Sequence, residues 1–276
     1  MAAGSYSLRR CRKAVSPAIS SVIVTAVIVM LVTVALTFAS NTLLYRIAES
    51  EFNSAKQSMT TLGLQIDDVA WIIGRSETVR FSSRYGDTAF KYALNYSVYI
   101  NTTTATNQLL YSNVTGIVTF EMATKHHSMG GDYFEMISPS TSMDFLVAGA
   151  SEPVSRVFVV EKIPMADGSF ARIVVAPSIR KVETSIGTTD YVRLYLPILL
   201  RGETPRRSQS ITLNGRSFST IRKTVTGIVV EVSFPLTDFD NSFFNYPRTT
   251  FSMQFEEETV LELYTGGVEV GFGVHP

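Results

Sequence analysis

The segment Arg9–Ala39, RRCRKAVSPAISSVIVTAVIVMLVTVALTFA, decides how the chain is organised. It starts with a basic cluster at residues 9–13, and no charged residue follows until Arg46. As a helix, this apolar run is long enough to cross the ~30 Å hydrocarbon core of a bilayer, for which roughly 20 apolar residues suffice. Because basic flanks stay in the cytoplasm, we expect a single-pass membrane protein with a cytoplasmic N terminus and an extracellular remainder.

The remainder is large enough for one well-packed domain, since roughly 200 of the 276 residues lie beyond the apolar segment. Four of the 24 basic residues fall in the first fourteen positions, which leaves 20 basic against 24 acidic side chains. This mildly acidic body argues against nucleic acid as a partner. Cys11, the only cysteine, lies in the basic leader, so the body can form neither a disulfide nor a thiolate metal site.

The junction before the apolar run carries a family resemblance. Lys13–Ile19, KAVSPAI, followed by a Val/Ile-rich helix, resembles the class III signal sequence of archaeal type IV pilins and pilin-like surface proteins. The resemblance covers roughly residues 9 to 60, and it implies that a prepilin peptidase cuts between Ala14 and Val15 and leaves the helix in place. Bacterial pilins have glutamate at the fifth mature position, where this chain has Ile19. The alternative is an uncleaved signal anchor.

An amphipathic pattern follows the apolar run without a proline. Apolar or small residues recur at alternating steps of three and four, which predicts a helix from about Ser16 to Ile73, nearly 90 Å long at about 1.5 Å per residue, that stops at Gly74. We expect this seam to pack on the protein's own β-rich part rather than to form a homomeric coiled coil, with Trp71 as an anchor. The seam residues are Phe52, Ala55, Met59, Leu62, Ile66, Val69 and Ile73.

From Thr78 onward, short runs rich in Val, Ile, Tyr, Phe and Thr alternate with turn residues, which is typical of a sandwich or of two stacked sheets. We therefore predict an α+β fold: one long N-terminal helix, transmembrane and then amphipathic, followed by a mainly antiparallel, sandwich-like β-sheet head. The predicted parts are a leader at 1–14, an assembly helix at 15–45, its amphipathic continuation at 46–74 and the head at 75–276.

Several details of the head are also predicted. Asn214-Gly215 is the clearest hairpin turn, because Asn-Gly supplies the positive φ angles of a type I′ turn. Residues 139–148 are ambiguous and could form a short helix, while the loop at 202–209 could separate two sheet halves. The predicted strands are 78–83, 89–100, 108–111, 116–122, 155–162, 171–177, 181–184, 190–200, 210–213, 216–219, 223–234, 249–255, 260–265 and 268–274.

Three glycosylation sequons begin at Asn95, Asn101 and Asn113. They are either sites of modification or ordinary polar residues of strands and loops. Adjacent histidines at 126–127 point to opposite faces of a strand, so we predict no metal site. We expect turns at the glutamate run 256–258 and at two glycine-rich pieces, 129–132 and 265–267. Since no nucleophile or phosphate-binding motif occurs, we predict neither an enzyme nor a bound cofactor.

Together these observations favour a pilin-like surface protein. We expect a membrane-inserted precursor that a prepilin peptidase processes, and whose N-terminal helix then assembles with copies of itself or with other pilins into a filament. Membrane lipid surrounds that helix in the precursor. A minor pilin or adhesin is a variant of this hypothesis. The alternative from a different class is an uncleaved single-pass ectodomain that binds a ligand or has a structural role in the envelope.

Overall fold

The computed structural model describes residues 17–139, 147–162, 165, 168–203, 209–233, 244 and 250–273. The chain divides into two compact units, residues 1–46 and 47–276. The described residues form one long helix and a large β-sheet, so the predicted α+β class with an N-terminal helix and a β-rich head is confirmed.

Helix α1 runs from Pro17 to Ala70. It starts at a proline, which a first helical turn tolerates, and no proline follows within it. The helix ends three residues before the predicted Ile73, in a turn that closes at Gly74, whose φ of 83° suits a glycine. Ile73 is therefore outside the helix and 66% exposed, so its predicted place in the seam is wrong.

The described strands form a single hydrogen-bonded sheet. Their bounds are β1 Ser76–Arg80, β2 Gly86–Asn101, β3 Gln108–Ala123, β4 Asp132–Ser138, β5 Val147–Ala148, β6 Ser155–Lys162, β7 Phe170–Pro177, β8 Ile179–Ile186, β9 Thr189–Arg201, β10 Ser210–Ser233 and β11 Thr250–Phe272. The order in the sheet is β4-β6-β7-β3-β2-β10-β11-β9-β8-β5, with β1 paired to β10. The pairs β9–β11 and β5–β8 are parallel, and the other pairs are antiparallel.

The sheet curves so that its two halves cover each other, which makes the head sandwich-like. Thr115 on β3 accepts a hydrogen bond of 2.9 Å from the backbone N–H of Leu199 on β9, although these strands are not sheet neighbours. Side chains from both halves meet in one apolar cluster, the inner core. Its larger members include Leu94, Tyr96, Val98, Phe158, Val174, Leu194, Leu196, Ile228, Val230, Leu261 and Leu263.

A second apolar cluster, the helix-side core, lies on the other face of the sheet. The residues of α1 from Ala48 to Ala70 that point inward pack there against β1, β3, β6, β7, β9, β10 and β11. Strands β6 and β7 supply both cores, so they are buried on both faces and show continuous apolar runs rather than alternation. In β2, a bulge between Tyr92 and Leu94 moves the apolar residues from the helix-side core, at Phe90, to the inner core.

Three predicted interruptions lie inside continuous strands. The Asn214-Gly215 hairpin is wrong, because both residues belong to β10 and Gly215 marks a bulge in it. The Gly266-Gly267 pair lies within β11 instead of forming a turn. The glutamate run 256–258 also lies within the bounds of β11, but at an irregularity where residues 255–258 stand opposite the single residue Thr226 of β10. Residues 129–131 do form the predicted turn, which leads into β4, a strand that the sequence did not predict.

Two other predictions fall partly on residues outside the described part of the chain. The ambiguous segment 139–148 ends in the short strand β5, and residues 140–146 of it lie outside the described part of the chain. Most of the predicted loop at 202–209 also lies outside, at residues 204–208.

Candidate functional site

The first part of α1 is an apolar segment whose side chains, from Ile19 to Ile47, are exposed. Several of its hydroxyl groups form hydrogen bonds within the helix. The hydroxyl groups of Thr25, Thr33 and Thr37 each donate to the backbone carbonyl four residues earlier, at 2.8–2.9 Å. Such hydroxyls present little unsatisfied polarity to an apolar environment. The helix is long and apolar enough to cross a membrane.

The second part of α1 belongs to the compact unit of residues 47–276 and is built into its core. Six of the seven predicted seam residues are at most 4% exposed, and all six lie in the helix-side core. Between them, Leu64 points outward and is 51% exposed. The seam therefore packs against the strands of the same chain. Its buried members are Phe52, Ala55, Met59, Leu62, Ile66 and Val69.

Gly63 lets α1 approach strand β6 closely. A Cβ at this position would lie 2.8 Å from Cγ2 of Val157 and 2.9 Å from Oγ of Ser155. The Ser155 hydroxyl donates to the Gly63 carbonyl at 2.7 Å, within the buried contact. The glycine that weakens the helix in isolation thus permits its packing on the sheet.

Polar groups fix the helix at two further points along its length. Glu51 accepts hydrogen bonds at 2.8, 2.9 and 3.1 Å from the backbone N–H groups of residues 84–86, and one at 2.7 Å from the Ser83 hydroxyl. Lys56 forms an ion pair of 2.6 Å with Glu135 on β4. That hydrogen bond from Lys56 holds the pKa of the Glu135 carboxyl below its usual range.

The end of α1 is anchored by charge and by aromatic packing. Asp67 pairs with Arg180 on β8 at 2.7 Å and accepts from the Trp71 indole at 2.8 Å. The Trp71 ring packs edge-on against Tyr195 and Phe218, with centroid distances of 5.3 and 6.4 Å. Trp71 thus contacts the head as expected for an anchor.

Two glycines in the sheet lie directly against the backbone at the end of α1. A Cβ on Gly215 would lie 2.3 Å from the carbonyl oxygen of Ile72, and one on Gly266 would lie 2.2 Å from that of Ala70. Gly215 also exchanges backbone hydrogen bonds with this turn, accepting from Gly74 at 2.8 Å and donating to Arg75 at 2.9 Å. This close approach explains why Gly215 lies inside a strand.

Buried charged groups on β6 and β7 are features that the sequence did not predict. Glu161 is fully buried and accepts from the Ser128 hydroxyl and the Met129 N–H, at 2.6 and 2.7 Å. Arg172, also fully buried, lies 3.3 Å from Glu121. The sequence signal was a charge next to an apolar run, with Arg172 as the single charge in β7 and Glu161 directly after the apolar residues 157–160 of β6. Both charged groups lie inside the head and have polar partners there, so they stabilise the fold rather than form a reactive site.

The two histidines lie in the turn after β3, not on a strand. The His127 ring is buried against Phe52 of α1, with centroids 4.9 Å apart, while His126 packs on Tyr85. Burial lowers the pKa of His127, and Lys56 adds to this effect, while Glu49 and Glu161 oppose it. Among the described residues, no group of three or more His, Cys, Asp or Glu side chains could hold a metal ion.

The remaining predicted site residues are the cleavage junction and the three sequon asparagines. Ala14 and Val15, the predicted cleavage junction, lie outside the described residues. The three sequon asparagines all lie on the β2–β3 hairpin: Asn95 within β2, Asn101 at its end and Asn113 within β3.

The chain was compared with known proteins and structures. No protein family, curated protein or solved structure matches the chain.

Proposed function

We propose that this protein is a pilin-like subunit of a cell-surface filament. The observation that carries the proposal is helix α1: one continuous helix has an apolar, exposed first part, and its second part forms a core of the folded head. A membrane anchor alone needs roughly 20 residues and no helical continuation into a domain core. The basic-small-Val-Ser-Pro junction at residues 13–17 adds the pilin-like signal that the sequence analysis describes.

The proposed mechanism is an exchange of apolar surroundings. In the precursor, lipid solvates the side chains from Ile19 to Tyr45. After cleavage between Ala14 and Val15, the same surface packs against copies of itself in the filament, so it never faces water. Membrane lipid, the prepilin peptidase and other pilin subunits are therefore the partners, and the head lies outside the cell. Hydroxyls that bond their own helix, as at Thr25 and Thr33, suit both environments.

Mass spectrometry of the N terminus in the native host tests this proposal. We expect the mature chain to begin at Val15, and an Ala14→Leu variant to accumulate as unprocessed precursor, because the enlarged side chain replaces the small residue before the cut. An Ala3→Leu variant carries the same change in the leader and should be processed normally. A wild-type chain that retains its leader would refute the proposal.

Filament shearing distinguishes the alternative, an uncleaved signal-anchored ectodomain. Sheared filaments should contain the processed chain, whereas an anchored ectodomain would stay in the membrane fraction. A minor pilin or adhesin would appear in the sheared fraction at low copy number relative to a second subunit. The size of the head, in the compact unit of residues 47–276, slightly favours this variant over a densely packed major subunit.

A further inference from the structure

The three sequons on the β2–β3 hairpin differ in accessibility. A sequon that carries a glycan belongs in a surface loop, because the acceptor asparagine and the hydroxyl two residues later must both reach a transferase, and the attached sugar is bulky. The structure places each of the three triplets in a different backbone environment.

The Asn95 sequon lies in the interior of the sheet. Strand β2 is paired on both sides at this point, with Val114 on β3 and Ser233 on β10. The Asn95 amide donates to the Ser233 hydroxyl at 3.3 Å, and the hydroxyl-bearing residue of the triplet, Ser97, is buried. A transferase would have to separate three strands to reach this asparagine.

The Asn113 sequon is half accessible. The Asn113 side chain is exposed, but the residue lies within β3, paired with Tyr96 on β2. The hydroxyl of its triplet belongs to Thr115, which is fully buried and accepts the 2.9 Å hydrogen bond from the Leu199 N–H. Engaging that hydroxyl would break the contact between β3 and β9.

The Asn101 sequon has no buried hydroxyl, and it lies where the pairing of β2 ends. Asn101 is paired with Gly227 on β10, and the pairing of β2 with β3 ends one residue earlier, at Ile100. Asn101 is the last residue of β2, and Thr103 is exposed in the loop of residues 102–107. The Asn101 side chain accepts a 2.7 Å hydrogen bond from the Asn107 N–H through Oδ1, so the bond engages the oxygen and not the amide nitrogen. Because an N-linked glycan leaves this carbonyl oxygen in place, the loop can keep its hydrogen bond after modification.

We propose that Asn101 is the glycosylated residue of this protein and that Asn95 and Asn113 remain unmodified. The donor would be an oligosaccharide linked through its anomeric carbon to a lipid phosphate or pyrophosphate, and a separate membrane transferase would catalyse the step. Nδ2 of Asn101 forms a bond to the anomeric carbon and loses one proton. The bond from that carbon to the phosphate oxygen breaks, and the lipid phosphate leaves with the electron pair. The inference rests on the extracellular location of the head in the proposed function.

Peptide mass spectrometry of the full chain from its native host tests the proposal. No Lys or Arg lies between Lys91 and Lys125, so trypsin leaves all three sequons in one peptide. Chymotrypsin, which cuts after Tyr99 and Leu109, separates the Asn101 fragment from the other two. We expect glycan mass on that fragment alone. A glycan on Asn95 or Asn113, or no glycan on any of the three, would overturn the inference.

Matched variants separate modification from a structural role of the loop. Thr103→Ala should abolish the glycan while Asn101 keeps its hydrogen bond to Asn107, and Thr103→Ser should retain it. Asn113→Gln should leave the glycan mass unchanged. Retention of the glycan in Thr103→Ala would contradict the assignment. The same spectra report the N terminus: a bare Asn101 on a chain that begins at Val15 contradicts only this inference, whereas an unprocessed chain contradicts the proposed function.

Discussion

At single positions, the contact between α1 and the sheet depends both on glycines, which have no side chain, and on a hydroxyl group that forms a hydrogen bond across the contact. A Cβ at Gly63 would clash with side chains of β6, and a Cβ at Gly215 would clash with backbone carbonyl oxygens at the end of α1. Ser155 supplies the hydrogen bond that such an approach requires, at the Gly63 carbonyl. The cost of adding one methyl group therefore depends on whether the opposing atom can move.

Gly215→Ala should destabilise the head by about 1–3 kcal/mol, as overpacked sites commonly do. The added Cβ would meet the carbonyl oxygens of Ile72 and Val69 at 2.3 and 2.8 Å, and backbone atoms in a hydrogen-bonded turn cannot move aside as a side chain can. The free energy of unfolding of the full chain in detergent, followed by Trp71 fluorescence, measures this. Gly149→Ala, whose Cβ finds its nearest neighbour at 3.7 Å, is the control and should be nearly neutral.

The stability of the head should also depend on the ionisation of His127. Burial favours the neutral imidazole, so the pKa of His127 in the folded chain lies below the ordinary histidine value of about 6.5. The unfolded chain then takes up the proton first as the pH falls, and stability is lost from about pH 6.5 down to the folded pKa. The carboxyl groups of Glu135 and Glu262, whose pKa values are held below 4.5 mainly by hydrogen bonds from Lys56 and Arg193, lose their contribution only at lower pH.

Denaturant unfolding at a series of pH values between 7.5 and about 5 tests this pH dependence. His127→Gln should flatten the curve over that interval, whereas His126→Gln, a change at the neighbouring ring that packs on Tyr85, should leave its slope in place. Equal slopes for the wild type and His127→Gln would show that another group is responsible.

Within α1, the spacing pattern distinguishes buried from exposed residues correctly from Phe52 to Val69, about five helical turns. It succeeds there because one continuous face of the helix packs against the sheet. The pattern fails at Ile73, where the chain must turn so that its backbone can meet Gly215. An apolar side chain at the right spacing does not extend a helix whose end is fixed by a tertiary contact.

Leu62→Ala should reduce the free energy of unfolding by about 2–5 kcal/mol, the usual cost of a leucine truncated in a core. Leu62 is fully buried in the helix-side core. Leu64→Ala makes the same change two residues later on the exposed side of α1, and we expect an effect within about 0.5 kcal/mol. Because both variants share one helix and one helix propensity, similar losses would contradict the packing of α1 described above.

The strands show which parts of the fold the sequence could predict. Period and composition indicate most strands, and β6 matches its predicted bounds, residues 155–162. They do not show that Asn214-Gly215 continues a strand, since the reason lies in the distant turn after α1. Nor do they show that β9 pairs with β11 in parallel, because strand pairing depends on contacts far apart in sequence. The sequons are visible as motifs, but only the strand pairing separates Asn101 from Asn95.

For the molecule as a whole, the proposed function requires an uncharged surface on the first part of α1. Val29→Glu would place a carboxylate in that segment, where a charged side chain costs roughly 2.5–3.5 kcal/mol at the centre of a bilayer. We expect membrane insertion to weaken and sheared filaments to be lost. Leu64→Glu is the control, because Val29 and Leu64 are similarly exposed, at 59% and 51%, and only Val29 lies in the apolar segment. Normal filament yield from Val29→Glu would contradict the assembly role of this helix.

The helix-side core also has a consequence for the order of synthesis. It joins residues 48–70 of α1 to Val268, Val270 and Phe272, near the opposite end of the chain. The ribosome makes the seam first and makes residues 268–272 of β11, which help to cover it, only about 200 residues later. Contacts so distant in sequence close slowly and leave apolar surface uncovered until they form. A nascent chain that has not yet reached residue 268 would expose an uncovered seam to chaperones and proteases, so β11 decides when the helix becomes protected.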